Sequence, residues 1–269
     1  MRFAGKRVWI TGASSGIGEA TARAFAAEGA HLILSSRRPA ELERVRLSCD
    51  RPADHLVLPL DLTRSDTFPA VADQAQARGP IDILVNNGGV SQRALAVETA
   101  PEVERALMEV DYFGTVALTK VVLPGMIARR AGHLVVVSSV MGFVGTPGRS
   151  TYAAAKHALH GYFDSLRAEV WRHGILVTLV CPGYVRTAVS ANALGPRGEQ
   201  HGRTDATHQT GIAAEKCAAA LLQGVARRRR EVYVGGWEVA GIYLQRFCPA
   251  LFAQVVRRMS FSVHAGPHS

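Results

Sequence analysis

Short runs of β-branched and leucine-rich residues alternate along the chain with longer stretches in which apolar positions recur every three or four residues. The short runs predict strands at 7–10, 31–34, 56–60, 81–85, 133–137, 176–180 and 231–234. The longer stretches predict helices at 17–28, 39–47, 67–78, 101–128, 152–171 and 213–228. Regular alternation of this kind predicts an α/β fold, namely one doubly wound Rossmann-like domain spanning 1–269. A parallel sheet of about seven strands would then carry helices on both faces. Residues 188–210, rich in Gly, Asn, Thr and His, lack either period and are expected to form a substrate flap. Residues 246–260 read as an amphipathic segment whose apolar stripe suits core, a subunit interface or, with Arg257 and Arg258 beside it, an anionic lipid surface.

Composition narrows the function classes. The 269 residues are 48% hydrophobic and 20% charged, which excludes disorder. Cys49, Cys181, Cys217 and Cys248 are far apart and match no zinc-site spacing, so free thiols and no metal are expected. No uncharged run of about 20 apolar residues is evident, and the N-terminus does not read as a signal peptide. A cytoplasmic protein is expected, with a peripheral membrane contact left open by the basic C-terminal stripe. A net charge of +9 favours anionic partners, among them a phosphorylated cofactor, acidic lipid or nucleic acid. No nucleic-acid module or aromatic stacking platform accompanies that charge, and nucleic acid is not expected as a partner.

The chemistry concentrates at the expected strand ends. TGASSGIG follows the first strand, placing Gly12, Ser14, Ser15, Gly16, Ile17 and Gly18 on a turn that opens a helix. Glycines there let backbone amides and a helix N-terminus approach a pyrophosphate, although a plain flexible turn would use the same residues. The second strand runs into Ser36 and Arg37 with no acidic residue to hold a ribose 2′-hydroxyl, and Arg37 is suited to a 2′-phosphate or to a solvated loop. Asp61 and Leu62 end the third strand, placed for an adenine, though Asp61 also suits a turn cap. Tyr152 and Lys156 lie four residues apart on one helix face, with Ser139 at the end of the fifth strand. A tyrosine is a weak base at neutral pH, and an ammonium at that spacing stabilises its phenolate. A strand-end serine can hydrogen-bond the substrate oxygen.

Together these residues resemble the short-chain dehydrogenase/reductase family over nearly the whole chain. TGASSGIG is similar to its TGxxxGxG motif, NNGG at 86–89 to its NNAG motif, YAAAK with Ser139 to its catalytic tyrosine, lysine and serine, and CPGYVRT at 181–187 to its PG motif. The resemblance implies reversible NAD(P)(H)-dependent interconversion of a carbonyl and an alcohol. Tyr152 would be the acid/base, Lys156 would also bind the nicotinamide ribose, and Ser139 would polarise the carbonyl. Asn87 would stabilise the central sheet, and Pro182, Gly183, Val185 and Thr187 would approach the nicotinamide. NADP(H) is the expected cofactor, NAD(H) being the other member of the pair, and a homodimer or homotetramer paired through 101–128 and 152–171 is implied.

Asp111 departs from that pattern. The family has asparagine there, holding a water that continues the proton relay from the lysine. An ionised aspartate accepts without donating and would pair with Lys156. It is the one feature favouring a non-catalytic dinucleotide-binding protein over an enzyme, whereas the intact Ser139, Tyr152 and Lys156 favour the enzyme. MEVDYFG and RTAVSANALGPRG are similar to a branch that includes membrane-associated reductases of lipid-like carbonyls, which implies a hydrophobic substrate.

Overall fold

The computed structural model describes residues 1–259. The strands are β1 (Arg7–Thr11), β2 (His31–Ser35), β3 (Leu56–Val57), β4 (Ile83–Asn86), β5 (Gly132–Val137), β6 (Ile175–Pro182), β7 (Val185–Arg186), β8 (Ile212–Ala213) and β9 (Glu231–Val234). The helices are α1 (Gly16–Ala27), α2 (Pro39–Leu47), α3 (Phe68–Gln76), α4 (Pro101–Met108), α5 (Gly114–Arg129), α6 (Ser150–Val170), α7 (Ala206–Gln209), α8 (Ala214–Ala226), α9 (Ala240–Phe247) and α10 (Pro249–Arg257). Seven strands form one parallel sheet in the order β3-β2-β1-β4-β5-β6-β9, and β7 pairs with β8 beside it. The order reverses between β1 and β4, so the loops leaving their carboxyl ends diverge and open a crevice.

A parallel sheet is covered on both faces, which is why its strands read as nearly unbroken apolar runs. Phe25, Leu42, Leu221 and Val225 seal one face, and Phe68, Leu118, Phe163 and Leu166 the other. Trp9 is fully buried within β1 because its indole N–H finds Ser35 Oγ at 2.9 Å, and that hydroxyl donates to the Leu58 carbonyl at 2.6 Å.

Three elements differ from the sequence expectation. The strand expected at 56–60 ladders only through Leu56–Val57; Leu58 and Leu60 still donate to the Leu34 and Ser36 carbonyls, but Pro59 between them has no N–H. The single helix expected at 101–128 is divided by a π-helical turn at Glu109–Phe113. That turn brings α5 hard against the loop after β3, where a side chain at Gly114 would run into the Leu62 carbonyl. The C-terminal stripe is two short helices meeting at Pro249, and α10 has no fully buried residue, so it is not core. Phe252 and Val256 turn instead toward the crevice; Ser260, the last residue of the expected segment, lies outside the described residues.

The continuous helical run Pro101–Arg129 is long and apolar enough to cross a membrane by length and composition alone, contrary to the expectation that no such stretch is present. Leu107, Leu118, Val122 and Met126 of that run are buried inside the fold.

Buried histidines make the fold acid-sensitive. His133 and His160 bond Thr178 and Ser138 hydroxyls, and burial pushes each imidazole down to about 4. The unfolded chain takes up these protons near pH 6.5 and the folded chain only near 4, so stability is complete above 6.5 and falls as pH drops through that window. The expected loss is roughly 1.4 kcal/mol per pH unit for each histidine. Urea unfolding measured from pH 7 to 4 checks this, and a flat profile would contradict it.

Candidate active site

The crevice at the strand reversal continues into one cleft of about 1200 Å³. At one end lies the glycine turn. Gly12 and Gly16 have φ of +63° and +58°, in the left-handed region that favours glycine, and a Cβ at Gly18 would strike the Gly12 carbonyl. The turn therefore folds tightly, and α1 starts at Gly16 with its N-terminus toward the cleft. Ser14, Ser15 and Ile17 line the same wall. Asn87 ties this turn to β4: its Nδ2 donates to the Thr11 carbonyl at 3.0 Å, while its own N–H and that of Gly88 reach Thr11 Oγ1 at 3.0 Å.

Beyond β2, Arg37 lines the cleft as expected, but Arg38 makes the contact to the glycine turn, its Nη2 donating to Ser14 Oγ at 2.9 Å and Ser15 Oγ at 3.2 Å. The sequence presents the two arginines side by side, and only the chain path separates them. Asp61 and Leu62 also border the cleft, and Asp61 Oδ1 accepts from Thr63 N and Oγ1 as a turn cap does. Pro182, Gly183, Val185 and Thr187 form the facing wall, with Thr187 packed closely against Gly16.

In the middle of the cleft Ser139, Tyr152, Lys156 and Asp111 come together. Ser139 follows β5, takes the Met141 N–H at 3.1 Å and turns its hydroxyl toward the Pro182 carbonyl at 3.4 Å. Tyr152 and Lys156 occupy the first two turns of α6, and Lys156 Nζ lies 5.5 Å from the Tyr152 ring centre. The π-helical turn projects Asp111 inward, where Oδ2 lies 3.0 Å from Lys156 Nζ and Oδ1 accepts the Val90 N–H at 2.7 Å. Both side chains are buried. Burial pushes the Asp111 carboxyl up against the pull of Lys156. Burial opposes the Lys156 charge too, but the carboxylate beside it wins and holds the lysine above its ordinary value. The Asp111–Lys156 contact expected from the sequence is present. Gly89 makes room for it: a Cβ there would sit 3.2 Å from both Asp111 oxygens.

Several site residues had no sequence signal. Gln92, fully buried, accepts the Thr151 N–H at 2.9 Å and the Tyr152 N–H at 3.3 Å with one oxygen, and so holds the start of α6. Arg149, Asp205 and His208 gather on the same side, the last two from the expected flap, Asp205 at the N-terminus of α7 and His208 within it. None belongs to a motif, and their meeting depends on how the 188–210 segment folds back: Leu194 pairs with Gln92, its N–H reaching the Ser91 carbonyl and its own carbonyl taking the Arg93 N–H.

A parallel sheet with a glycine turn at the strand reversal and a Ser–Tyr–Lys group in the same cleft defines a Rossmann-type oxidoreductase. The model of the family described as short chain dehydrogenase matches residues 6–196. The chain belongs to the short-chain dehydrogenase/reductase family and is an oxidoreductase. It is 42% identical to the dehydrogenase/reductase SDR family protein 7-like of Drosophila melanogaster over 94% of this chain and 80% of that protein. It is 38% identical to dehydrogenase/reductase SDR family member 7B of Bos taurus, over 97% and 83%. Among solved structures, a short-chain dehydrogenase from Streptomyces avermitilis superposes with a TM-score of 0.81 at 31% identity, covering 94% of this chain and 96% of that one. A short chain dehydrogenase from Burkholderia cenocepacia, solved in complex with NADP, gives 0.79 at 25%, covering 95% and 99%.

Proposed function

We propose that this chain is an NAD(P)(H)-dependent oxidoreductase that interconverts a carbonyl and a secondary alcohol, prefers NADPH and takes a hydrophobic substrate. The observation that carries this reading is the convergence of Ser139, Tyr152 and Lys156 in the cleft that also contains the glycine turn. The residues fit a dinucleotide: Gly12, Gly16 and Gly18 have no side chains to block close backbone approach, the N-terminus of α1 faces the cleft, and Arg37 and Arg38 supply cations beside Ser36. When bound, the nicotinamide supplies or accepts the hydride. In the reducing direction the Tyr152 hydroxyl gives its proton to the carbonyl oxygen, which Ser139 Oγ–H holds by a hydrogen bond. Lys156 stabilises the phenolate left behind. The substrate arm of the cleft is walled by Trp237, Tyr243, Leu244, Phe252 and Val256 from the α9–α10 end of the chain, which suits an apolar substrate. The same reading pairs copies of the chain through α4–α5 and α6.

NADPH or NADH oxidation measured against medium-chain ketones tests the activity. NADPH should bind more tightly than NADH in titration. Arg37→Ala and Arg38→Ala should each weaken NADPH by about 1.5 to 3 kcal/mol where the side chain meets the 2′-phosphate, leaving NADH nearly unchanged. Equal affinities of the wild type for both cofactors would overturn the preference.

A further inference from the structure

On the substrate side of Tyr152, a buried and a half-buried guanidinium share one carboxylate. Arg93, 2% exposed, sets Nε 2.7 Å from Asp205 Oδ2, and Arg149, 15% exposed, sets Nη2 3.1 Å from the same oxygen. Arg93 also donates through Nη1 to Ser91 Oγ and the Gln92 carbonyl, and is held away from the cleft. Arg149 lines the cleft with Tyr152, Tyr184 and His208. His208 Nδ1 lies 3.6 Å from Asp205 Oδ2 but brings no fixed charge, since burial pushes this imidazole down to about 4. His201 Nε2 approaches the other Asp205 oxygen at 3.5 Å. Among the described residues no second carboxylate lies within 4.0 Å of either guanidinium.

Removing a charge from water without a counter-charge is costly, and this cluster carries one guanidinium more than it can neutralise. Arg149 is doubly disfavoured, because it immediately precedes α6, where the helix dipole favours anions over cations. Burial and the charge of Arg93 hold its pKa below the ordinary arginine value. The phosphates of a dinucleotide do not answer this charge, since they belong with the glycine turn and Arg37 and Arg38 at the other end of the cleft. The unanswered cation stands three residues before Tyr152 and opens into the substrate arm.

We propose that the substrate carries an anionic group, a carboxylate or a phosphate monoester, which pairs with Arg149 while its carbonyl lies between Ser139 and Tyr152. This rests on the carbonyl/alcohol reading above. Together with the apolar wall from α9 and α10, it makes the substrate an anionic amphiphile. Arg149 is then a specificity-determining residue, and Asp205 holds it in place from the flap.

Two ketone pairs test the proposal, an alkyl ketone bearing a carboxylate with its methyl ester, and one bearing a phosphate monoester with its dimethyl ester. In the wild type, kcat/KM for at least one anionic member should exceed that for its ester by about 100-fold, mostly through KM. Arg149→Met keeps a long side chain without charge; it should bring that anion down to the level of its ester while changing the ester less than threefold. Whichever pair shows the preference identifies the anion as carboxylate or phosphate. Calorimetric titration with an alkyl carboxylate, an alkyl phosphate and the matching alkyl alcohol gives a second readout that needs no turnover. Anion binding that is lost in Arg149→Met upholds the proposal even if no ketone is reduced, an outcome that would sink the carbonyl/alcohol reading alone. Equal use and equal binding of anion and neutral partner by the wild type overturns it, and so does an Arg149→Met variant that weakens both members equally. If the variant does not fold, the wild-type comparison decides.

Discussion

Tyr152→Phe lowers kcat by about 1000-fold, within the range that positioned proton transfer supplies, while cofactor affinity stays within a few-fold of wild type. The substitution isolates the hydroxyl. Phenylalanine keeps the ring beside Lys156 Nζ and keeps the backbone N–H that Gln92 accepts at the start of α6. The Asp111–Lys156 pair loses no partner. Steady-state turnover with a saturating ketone and separate cofactor titration check the two halves of the expectation. Undiminished turnover would show that another group moves the proton.

Asp111→Asn should have the largest effect on stability. The asparagine is nearly isosteric, and its oxygen can still accept the Val90 N–H, so the change removes the charge and puts an amide donor in place of the acceptor facing Lys156. It leaves a buried ammonium without the carboxylate 3.0 Å away, at a cost of about 3 kcal/mol. That corresponds to a fall in Tm of several degrees for a chain of this size. The catalytic sign is separate. Asp111 now holds Lys156 above its ordinary value; without it burial opposes the lysine charge with much less to offset it, and the lysine pKa falls. While Lys156 remains charged, its ammonium is no longer shared with a carboxylate and favours the phenolate more strongly, so the acidic limb of the kcat/KM profile moves to lower pH. Thermal unfolding and a pH–rate profile check both parts. An unchanged Tm together with an unmoved limb would mean that the pair shares a proton and is not charged.

The short motifs were legible because their chemistry is local. Tyr152 and Lys156 meet through a helical spacing of four, and the glycine turn follows β1 directly, so periodicity and one strand end sufficed to bring each group together. The parallel sheet with helices on both faces followed from the alternation of short apolar runs with helical periods, whereas its strand order is read from the structure. Arg38, Gln92, Arg149, Asp205 and His208 were not legible. Each reaches the site through a loop, and the Arg93–Asp205 contact spans 112 residues of chain. The π-helical turn that aims Asp111 was equally hidden, since an extra residue in one turn of a helix leaves the apolar repeat on either side intact.

By itself the sequence determined the α/β class, the sheet, the glycine turn and the serine, tyrosine and lysine, because strand and helix periods and short fixed spacings act between residues close along the chain. Only the tertiary structure decided that Asp111 is a buried counter-ion of Lys156, that Arg38 is the arginine turned onto the glycine loop, and that an under-neutralised Arg149 faces the substrate arm. Those outcomes depend on which loops cross at the carboxyl edge of the sheet and on how much water they exclude, and burial at a meeting of distant segments leaves no period in the sequence.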